Sequence, residues 1–320
     1  MRELARTARE WAREGRTAVL ARPVTEKGFG PKRPADALLV DAGPGGQCRG
    51  SLYRGAADRR LAEEAAALVS AGHTARIRAV AVHDEAVKEA GLTCGGQAEI
   101  LLQALHTIPV RWWELMAEGA DAALVTRLDG ERTRARSTVV TPAAADPATP
   151  PRAVESARRL LARHRAGREL LDTGTGPLLV ESCPAVPHLL VVGGGELADL
   201  LVAQAGLLGW RATVTESSER VRELIAGRPA ALCLVVLSHE PGVDVPALYT
   251  ALTTGVPYVG ALGSRHTQDR RAAALRAAGL DEEHLRRVHG PIGLDLGART
   301  PAETALAICA EILTTLAAAP

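Results

Sequence analysis

The sequence predicts an α/β protein in two parts, an N-terminal α+β domain followed by a C-terminal domain built on a parallel, doubly wound sheet. Three observations carry this. From residue 187 onward, short apolar runs alternate regularly with segments of helical periodicity, the pattern of strands returned by crossover helices. Upstream, the apolar segments are joined by local turns, which points to partly antiparallel pairing. Finally, 320 residues is long for one domain and sufficient for two cores. A Pro- and Ala-rich stretch at 141–152 lacks apolar periodicity and reads as a surface loop or linker. The domains are placed at 1–186 and 187–320.

Residues 1–15 read as an amphipathic helix, followed by strand-like 17–21 and, after a Gly/Pro/Lys-rich loop, 37–41. Gly43-Pro44-Gly45-Gly46 reads as a turn. Residues 56–71 carry helical spacing through Leu61, Ala65, Leu68 and Val69, and 76–83 alternates in the manner of a strand. A helix is expected to begin near Gln97, with Ile100, Leu101 and Leu105 on one face. Segments 122–128 and 133–141 flank Asp129-Gly130, a hairpin signal because both residues tolerate positive φ. A helix at 153–165 and a short strand at 178–181 complete the first domain ahead of Pro184 and Pro187.

The second domain reads as strand 189–192, helix 196–207, strand 211–215, helix 217–226, strand 231–237, helix 245–254 and strand 258–262. The last helix spans 301–316. Thr300 is its N-cap, Pro301 occupies the first helical position and Glu303 the third, which makes a capping box.

Composition excludes several classes of function. Lys plus Arg number 38 against 37 Asp plus Glu, so there is no general electrostatic case for nucleic-acid or anionic-membrane binding and any anion site must be local. Aromatics are 2 %, so the cores must be built from Leu, Val, Ile and Ala; the doublet Trp112-Trp113 is expected to anchor a helix or a dimer face. The N-terminus lacks the apolar core of a secretory signal, and no apolar run reaches the length of a membrane span. Five scattered cysteines without CxxC spacing give neither a zinc site nor a disulfide framework. A cytoplasmic location is expected.

The chemistry-bearing segments cluster in the second domain. The apolar run 189–192, the triplet Gly193-Gly194-Gly195 and the following helix have the layout of a dinucleotide-binding Rossmann turn. Gly193 permits the tight turn, Gly195 lets backbone approach a pyrophosphate, and Ala198 lets helix and strand pack closely. Glu216, about twenty residues on, stands where an acid accepts hydrogen bonds from ribose hydroxyls. After the third strand comes Ser238-His239, at the sheet edge where ligands bind; His239 suits acid/base work, a phosphate contact or a helix cap. After the fourth, Gly263-Ser264-Arg265-His266 presents a hydroxyl, a guanidinium and an imidazole; Arg265 suits an anion, or pairs with a carboxylate of a neighbouring helix. The glycine-rich run 289–298 makes tight turns, with Asp295 expected to hold its backbone amides. In the first domain, Cys94-Gly95-Gly96 ahead of a helix has the setting of a reactive or ligand-binding thiol. Cys183, Cys233 and Cys309 read as core filler. On these residues alone an NAD(P)-dependent oxidoreductase is open, with Gly193, Gly195 and Glu216 holding NAD(P) and His239 or His266 moving protons; Glu216 disfavours a 2′-phosphate.

Taken in order, the Gly193 turn, Ser238-His239, residues 258–265, 291–297 and Thr300-Pro301-Ala302-Glu303 resemble the XdhC/CoxI family of xanthine dehydrogenase accessory proteins. Cys94-Gly95-Gly96 resembles a segment of the family's N-terminal domain, as do 28–40 and 50–58 more faintly. The resemblance implies an accessory or chaperone role: binding molybdenum cofactor (a molybdopterin), shielding it during sulfuration by a cysteine desulfurase, and delivering it to a molybdenum hydroxylase apo-enzyme, as a homodimer. Residues of both domains, with Cys94 as a thiol near the metal, would hold the cofactor. The chain departs from the family pattern in three places. Ala56 stands where the family has a cysteine, Gly28-Phe29-Gly30-Pro31-Lys32 replaces a Gly-Ser-x-Pro-Arg loop, and Glu196 replaces a histidine after the glycines. These departures also fit a divergent paralogue with another nucleotide-like ligand.

Overall fold

The computed structural model describes residues 1–29, 36–43, 46–92, 94–174, 176–227 and 231–318. Gly30, Pro31 and Lys32 of the glycine loop, and Pro44 and Gly45 of the expected turn, lie outside the described residues. The chain divides into two units, Met1–Pro184 and Ala185–Pro320.

The first unit runs α1 (Ala5–Arg13), β1 (Ala18–Gly28), β2 (Leu38–Asp41), β3 (Cys48–Gly50), α2 (Asp58–Ser70), β4 (Ala75–Val82), α3 (Asp84–Glu89), β5 (Gly96–Ala104), α4 (Val110–Glu118), β6 (Ala122–Leu128), β7 (Ala135–Val140), α5 (Pro151–Ala162), β8 (Gly167–Leu171) and β9 (Leu178–Cys183). Its strands form two antiparallel sheets, ordered β3-β2-β1-β5-β4 and β7-β6-β9-β8. Val19, Ala21, Ile100 and Leu102 face α2, through Leu61, Ala65 and Leu68. Val125, Val140 and Val180 face α5. Between the sheets, Val24 and Leu101 meet Leu128 and Leu179. The unit is therefore layered helix, sheet, sheet, helix, because each sheet has two apolar faces to bury. Pro23 lies in β1 beyond the four residues that pair with β2, beside a bulge at Val24 against β5, so its missing N–H costs no ladder bond.

Between the sheets lies a polar network. Arg22, fully buried, donates from Nε to Glu181 and from Nη2 to Gln103 Oε1 at 2.7 Å and Thr126 Oγ1 at 2.8 Å. Gln103 Nε2 passes the chain on to Thr107 Oγ1 and Ser137 Oγ.

The expected helix at Gln97 is strand β5. Ala98 and Ile100 alternate with exposed Gln97 and Glu99, but residues 100–104 are buried on both faces between the two layers. A doubly buried strand has no period, and the spacing of Ile100, Leu101 and Leu105 imitates a helix face. The hairpin at Asp129-Gly130 is longer than two residues: Asp129 N–H bonds Arg134 O, while its carboxylate accepts from the Thr133 and Arg134 amides. Helix α4, which carries the tryptophan doublet, and edge strand β8 had no sequence signal of their own; Trp112 and Trp113 are both buried in the core beside α1 and serve as helix anchors.

The second unit runs β10 (His188–Val192), α6 (Glu196–Leu207), β11 (Arg211–Thr215), α7 (Ser218–Ala226), β12 (Leu232–Val236), α8 (Pro241–Thr253), β13 (Tyr258–Ala261), α9 (Arg265–Ala277), α10 (Glu282–Leu285), β14 (Val288–His289) and α11 (Pro301–Ala318). All five strands are parallel, in the order β11-β10-β12-β13-β14. Helices α6 and α11 cover one face and α7, α8 and α9 the other. This is the Rossmann-like doubly wound sheet that the alternation predicts. Helix α8 begins four residues earlier than expected, with Pro241 in the first turn, and α9 is an element that the sequence reading lacks. The capping box at α11 is formed: Thr300 Oγ1 accepts from Glu303 N–H, and the Glu303 carboxylate from the Arg299 and Thr300 amides. Contrary to the expectation of no span-length run, α11 is long and apolar enough by length and composition to cross a membrane. Ala305, Ile308, Ile312 and Leu316 place its inner side in the core with Ala198 and Leu201 of α6.

Candidate functional site

In a parallel sheet every loop that follows a strand emerges at the same edge. The chain leaves β10 for β11 on one side and reaches β12 on the other, so the loops after β10 and β12 diverge and leave a crevice between them.

Gly193, Gly194 and Gly195 stand at that crevice. Gly193 has φ 109°, and a Cβ there would come within 2.7 Å of Ser238 N, so the loop after β12 passes directly against it. A Cβ on Gly194 would stand 2.9 Å from Glu216 Oε1, which places the acid's carboxylate over the turn. Gly195 has φ 95° and ψ −177°, a region open in practice only to glycine, and serves as N-cap of α6 without a side-chain cap. Nothing lies within 4 Å of where its Cβ would be. The amides of the first helical turn therefore face open space behind a backbone that a ligand can approach closely. Ala198 is buried against the sheet, as the turn requires.

The charge here is not simple. Glu196 and Asp199 occupy the first turn of α6, and the Glu216 carboxylate lies beside Gly194, so the turn carries three acidic residues close in the chain or in space. They oppose a multiply charged phosphate and favour hydroxyl or amino groups. Positive charge comes from the loop after β13, where Gly263 (φ 140°) leads to Ser264, N-cap of α9, whose Oγ accepts from Thr267 N–H. Arg265 and His266 are the first exposed residues of α9. His239 is exposed in the loop after β12; the N-cap of α8 is Glu240, so His239 does not cap it.

Two residues outside the sequence expectation hold these loops. Arg271 of α9 is buried and donates to Asp244 Oδ2 from Nε at 3.0 Å and Nη2 at 2.6 Å, to Leu262 O, and to Ser238 O at 2.7 Å. One guanidinium thus ties the loop after β12, the loop after β13 and the first turn of α8. The carboxylate partner foreseen for Arg265 belongs to Arg271. The signal was present: Arg271 lies four residues before buried Leu275, on the inner stripe of α9.

At the far end of the edge, Asp295 is exposed and does not hold its loop. Glu311 of α11 does, by accepting from Gly293 N–H at 2.9 Å and from the Tyr258 hydroxyl at 2.5 Å. Burial and that carboxylate push the Tyr258 phenol well above its usual range, and the ring stacks on His289.

In the first unit, Cys94 is exposed ahead of a strand, not a helix, so the helix-terminus argument for an activated thiol does not hold. Its glycines serve packing: a Cβ on Gly95 would stand 2.4 Å from Val82 O, and one on Gly96 2.6 Å from Lys27 O. The fold nevertheless joins three segments that are distant in sequence. Phe29 N–H donates to Gly95 O, and the Phe29 ring stacks on Tyr53 at 3.9 Å. Asp58 accepts from Leu52 N–H across the turn that contains Ala56. Cys183, Cys233 and Cys309 are buried, and burial raises all three thiols, Cys233 to about 12 and Cys309 to about 11. Among the described residues no group of three or more His, Cys, Asp or Glu is placed to hold a metal ion.

Residues 189–312 match the family model described as the XdhC Rossmann domain. Over that span the C-terminal unit is similar to an XdhC Rossmann domain. Its glycine turn, the Ser238-His239 loop and the Gly263 to Arg265 loop all fall within the match. The chain is 28 % identical over 148 residues to the uncharacterized protein YqeB of Escherichia coli (strain K12), a match covering 40 % of this chain and 27 % of that protein. The aligned part is thus about a quarter of the curated relative. A solved structure described as a xanthine dehydrogenase from Bacillus halodurans superposes with a TM-score of 0.61 at 18 % identity, covering 98 % of this chain and 95 % of that one. At that identity the likeness shows a shared fold.

Proposed function

We propose that the protein is a cytoplasmic accessory factor that binds molybdenum cofactor and delivers it to a molybdenum hydroxylase apo-enzyme such as xanthine dehydrogenase. Sulfuration of the cofactor by a cysteine desulfurase and a homodimeric state belong to the same reading. The observation that carries it is the glycine turn of an XdhC-like domain whose Gly195 face is open where a Cβ would sit.

The residues present fit a pterin with a phosphate-bearing tail. The amides behind Gly195 and the Arg265 guanidinium would take the anionic end. Glu216 would accept from hydroxyl or ring N–H groups, and the surrounding carboxylates would resist any second charge. Arg271 holds the loops of Ser238 and Leu262 in register, so these donors are in place before a ligand arrives. When bound, the cofactor would supply the molybdenum centre that the target enzyme uses in hydroxylation. The chain's own work is holding, orienting and shielding.

The protein purified anaerobically from cells making molybdenum cofactor is expected to carry molybdenum and pterin in equal amounts. Absence of both would overturn the reading. Glu216 beside Gly194 supports a second reading, a dinucleotide such as NAD at the same turn, with His239 or His266 handling protons. Calorimetric titration with NADH separates the two, since heat that AMP competes away would favour the nucleotide.

A further inference from the structure

The geometry points to the open edge of β11 as a two-fold interface, at which a second copy of this chain extends the parallel sheet of the second unit. The inference rests on the homodimeric part of the reading above and names its surface. It holds whichever ligand the glycine turn takes.

Strand β11 ends the sheet beside β10. Arg211 N–H donates to Pro187 O, and Thr215 O accepts from Gly193 N–H, so the main chain at 211, 213 and 215 faces β10. Alternation along the strand turns the N–H and C=O of Ala212 and Val214 outward. The open stretch is bounded, because Trp210 N–H donates to Ala205 O and Ser217 N–H to Thr215 Oγ1. Edge strands are normally guarded by charge, proline or brevity. Here β4 carries Arg76 and Arg78, β7 carries Arg136, β8 carries Arg168 and Glu169, and β3 and β14 are three and two residues long. In β11 the one charge is Arg211, at the first position, and no residue of the strand is buried.

Three features fit a second copy. A two-fold contact needs a self-complementary surface, and this edge has one outward-facing residue on each side of Thr213. Antiparallel pairing about Thr213 sets Ala212 of each copy against Val214 of the other and satisfies all four outward groups of each strand. Charge favours the same alignment. The strand opens on Arg211 and runs out into Glu216 and Glu219, so antiparallel copies lay a basic end beside an acidic end twice, where parallel copies would oppose like ends. Lastly, α6 supplies apolar cover. Ala212 packs in the cluster that holds α6, so Val214, 41 % exposed, lies on that face by alternation. On α6, Leu197 and Leu200 are half-buried in the cluster shared with α11, whereas Val202 on the opposite flank is 39 % exposed and Leu207 at the helix end 84 %. No charged residue stands between 200 and 210. A two-fold axis perpendicular to the sheet places both α6 flanks on one face, where the Val202 and Val214 side chains of the two copies shield the new ladder from water.

Sedimentation velocity of the full-length protein between about 1 and about 100 µM is expected to show monomer giving way to dimer. Hydrogen exchange over the same range is expected to slow at the Ala212 and Val214 amides as the dimer forms. Val214→Pro removes an outward N–H that no ladder bond within the chain uses, and Val202→Lys places a charge on an exposed flank. Each variant, with an unchanged circular dichroism spectrum, is expected to weaken the dimer by about tenfold or more. A monomer throughout, a dimer that either folded variant leaves unchanged, or a dimer that forms without slower exchange at 212 and 214 would overturn the proposal. Molybdenum and pterin are assayed in the same fractions. A monomer that carries both removes this interface and keeps the ligand reading, and a dimer of the expected kind that carries neither does the reverse.

Discussion

Asp244 and Arg271 show how one pair of side chains can tie together the loops of a whole sheet edge. Both are nearly inaccessible, with 3 % and 7 % of their side chains exposed, and Asp244 Oδ1 has no partner among the described residues. An ion pair removed from water is costly to form but costlier to break on one side. Asp244→Ala is expected to destabilise the protein by about 3–5 kcal/mol in urea denaturation, since it leaves a buried guanidinium uncompensated; a change under about 1 kcal/mol would show that water replaces the carboxylate. At this scale the sequence was informative wherever chemistry is tied to backbone conformation. The backbone conformations of Gly193 and Gly195 could be read because a turn of that shape permits few residues. Arg271 and Asp244 could not be paired, because 27 positions separate them and nothing local joins them. Asp295 was misread for the converse reason: a carboxylate inside a glycine loop is a natural local partner, yet Glu311 on a distant helix reaches that loop first.

Among the elements, strand β10 is an interior strand and nearly all apolar, but it opens on His188, whose Nε2 lies 2.9 Å from Thr213 Oγ1 on β11. Burial, assisted by Arg211, lowers the His188 pKa from its usual value. The unfolded chain therefore takes up this proton at a higher pH than the folded one. His188 disfavours neither state above the unfolded pKa, and stability falls as the pH drops through that value toward the lowered one, then levels off. Urea midpoints compared between about pH 7.5 and 5.5 are expected to decline, and to decline less in His188→Gln; identical slopes would remove His188 as the cause. Helices and strands with one solvent face were legible, as α2, β4 and α6 show, because alternation marks which side is wet. Strand β5, buried on both sides, lost that mark and read as a helix. Helix α9 escaped notice because its inner stripe carries Arg271 where an apolar residue would have revealed it.

For the molecule as a whole, basic and acidic residues nearly cancel, at 38 against 37. A solubility minimum is therefore expected just above neutral pH, relieved by moderate salt, and turbidity measured across pH would show it; a minimum far into the acid range would mean that the folded charge differs from the formal one. The division into an antiparallel, two-sheet unit and a parallel one was foreshadowed by how the apolar runs are connected. The convergence of residues 28–29, 52–58 and 94–96 was not, since it depends on pairing between strands far apart in the chain. The parallel sheet of the second unit has one more effect. Its strands and helices build most of the core, while the loops that follow the strands leave by a single rim. Exposed residues at that rim, such as Glu196 at the start of α6, can be exchanged without disturbing the buried frame, so the chemistry of the edge can vary while the sheet stays the same.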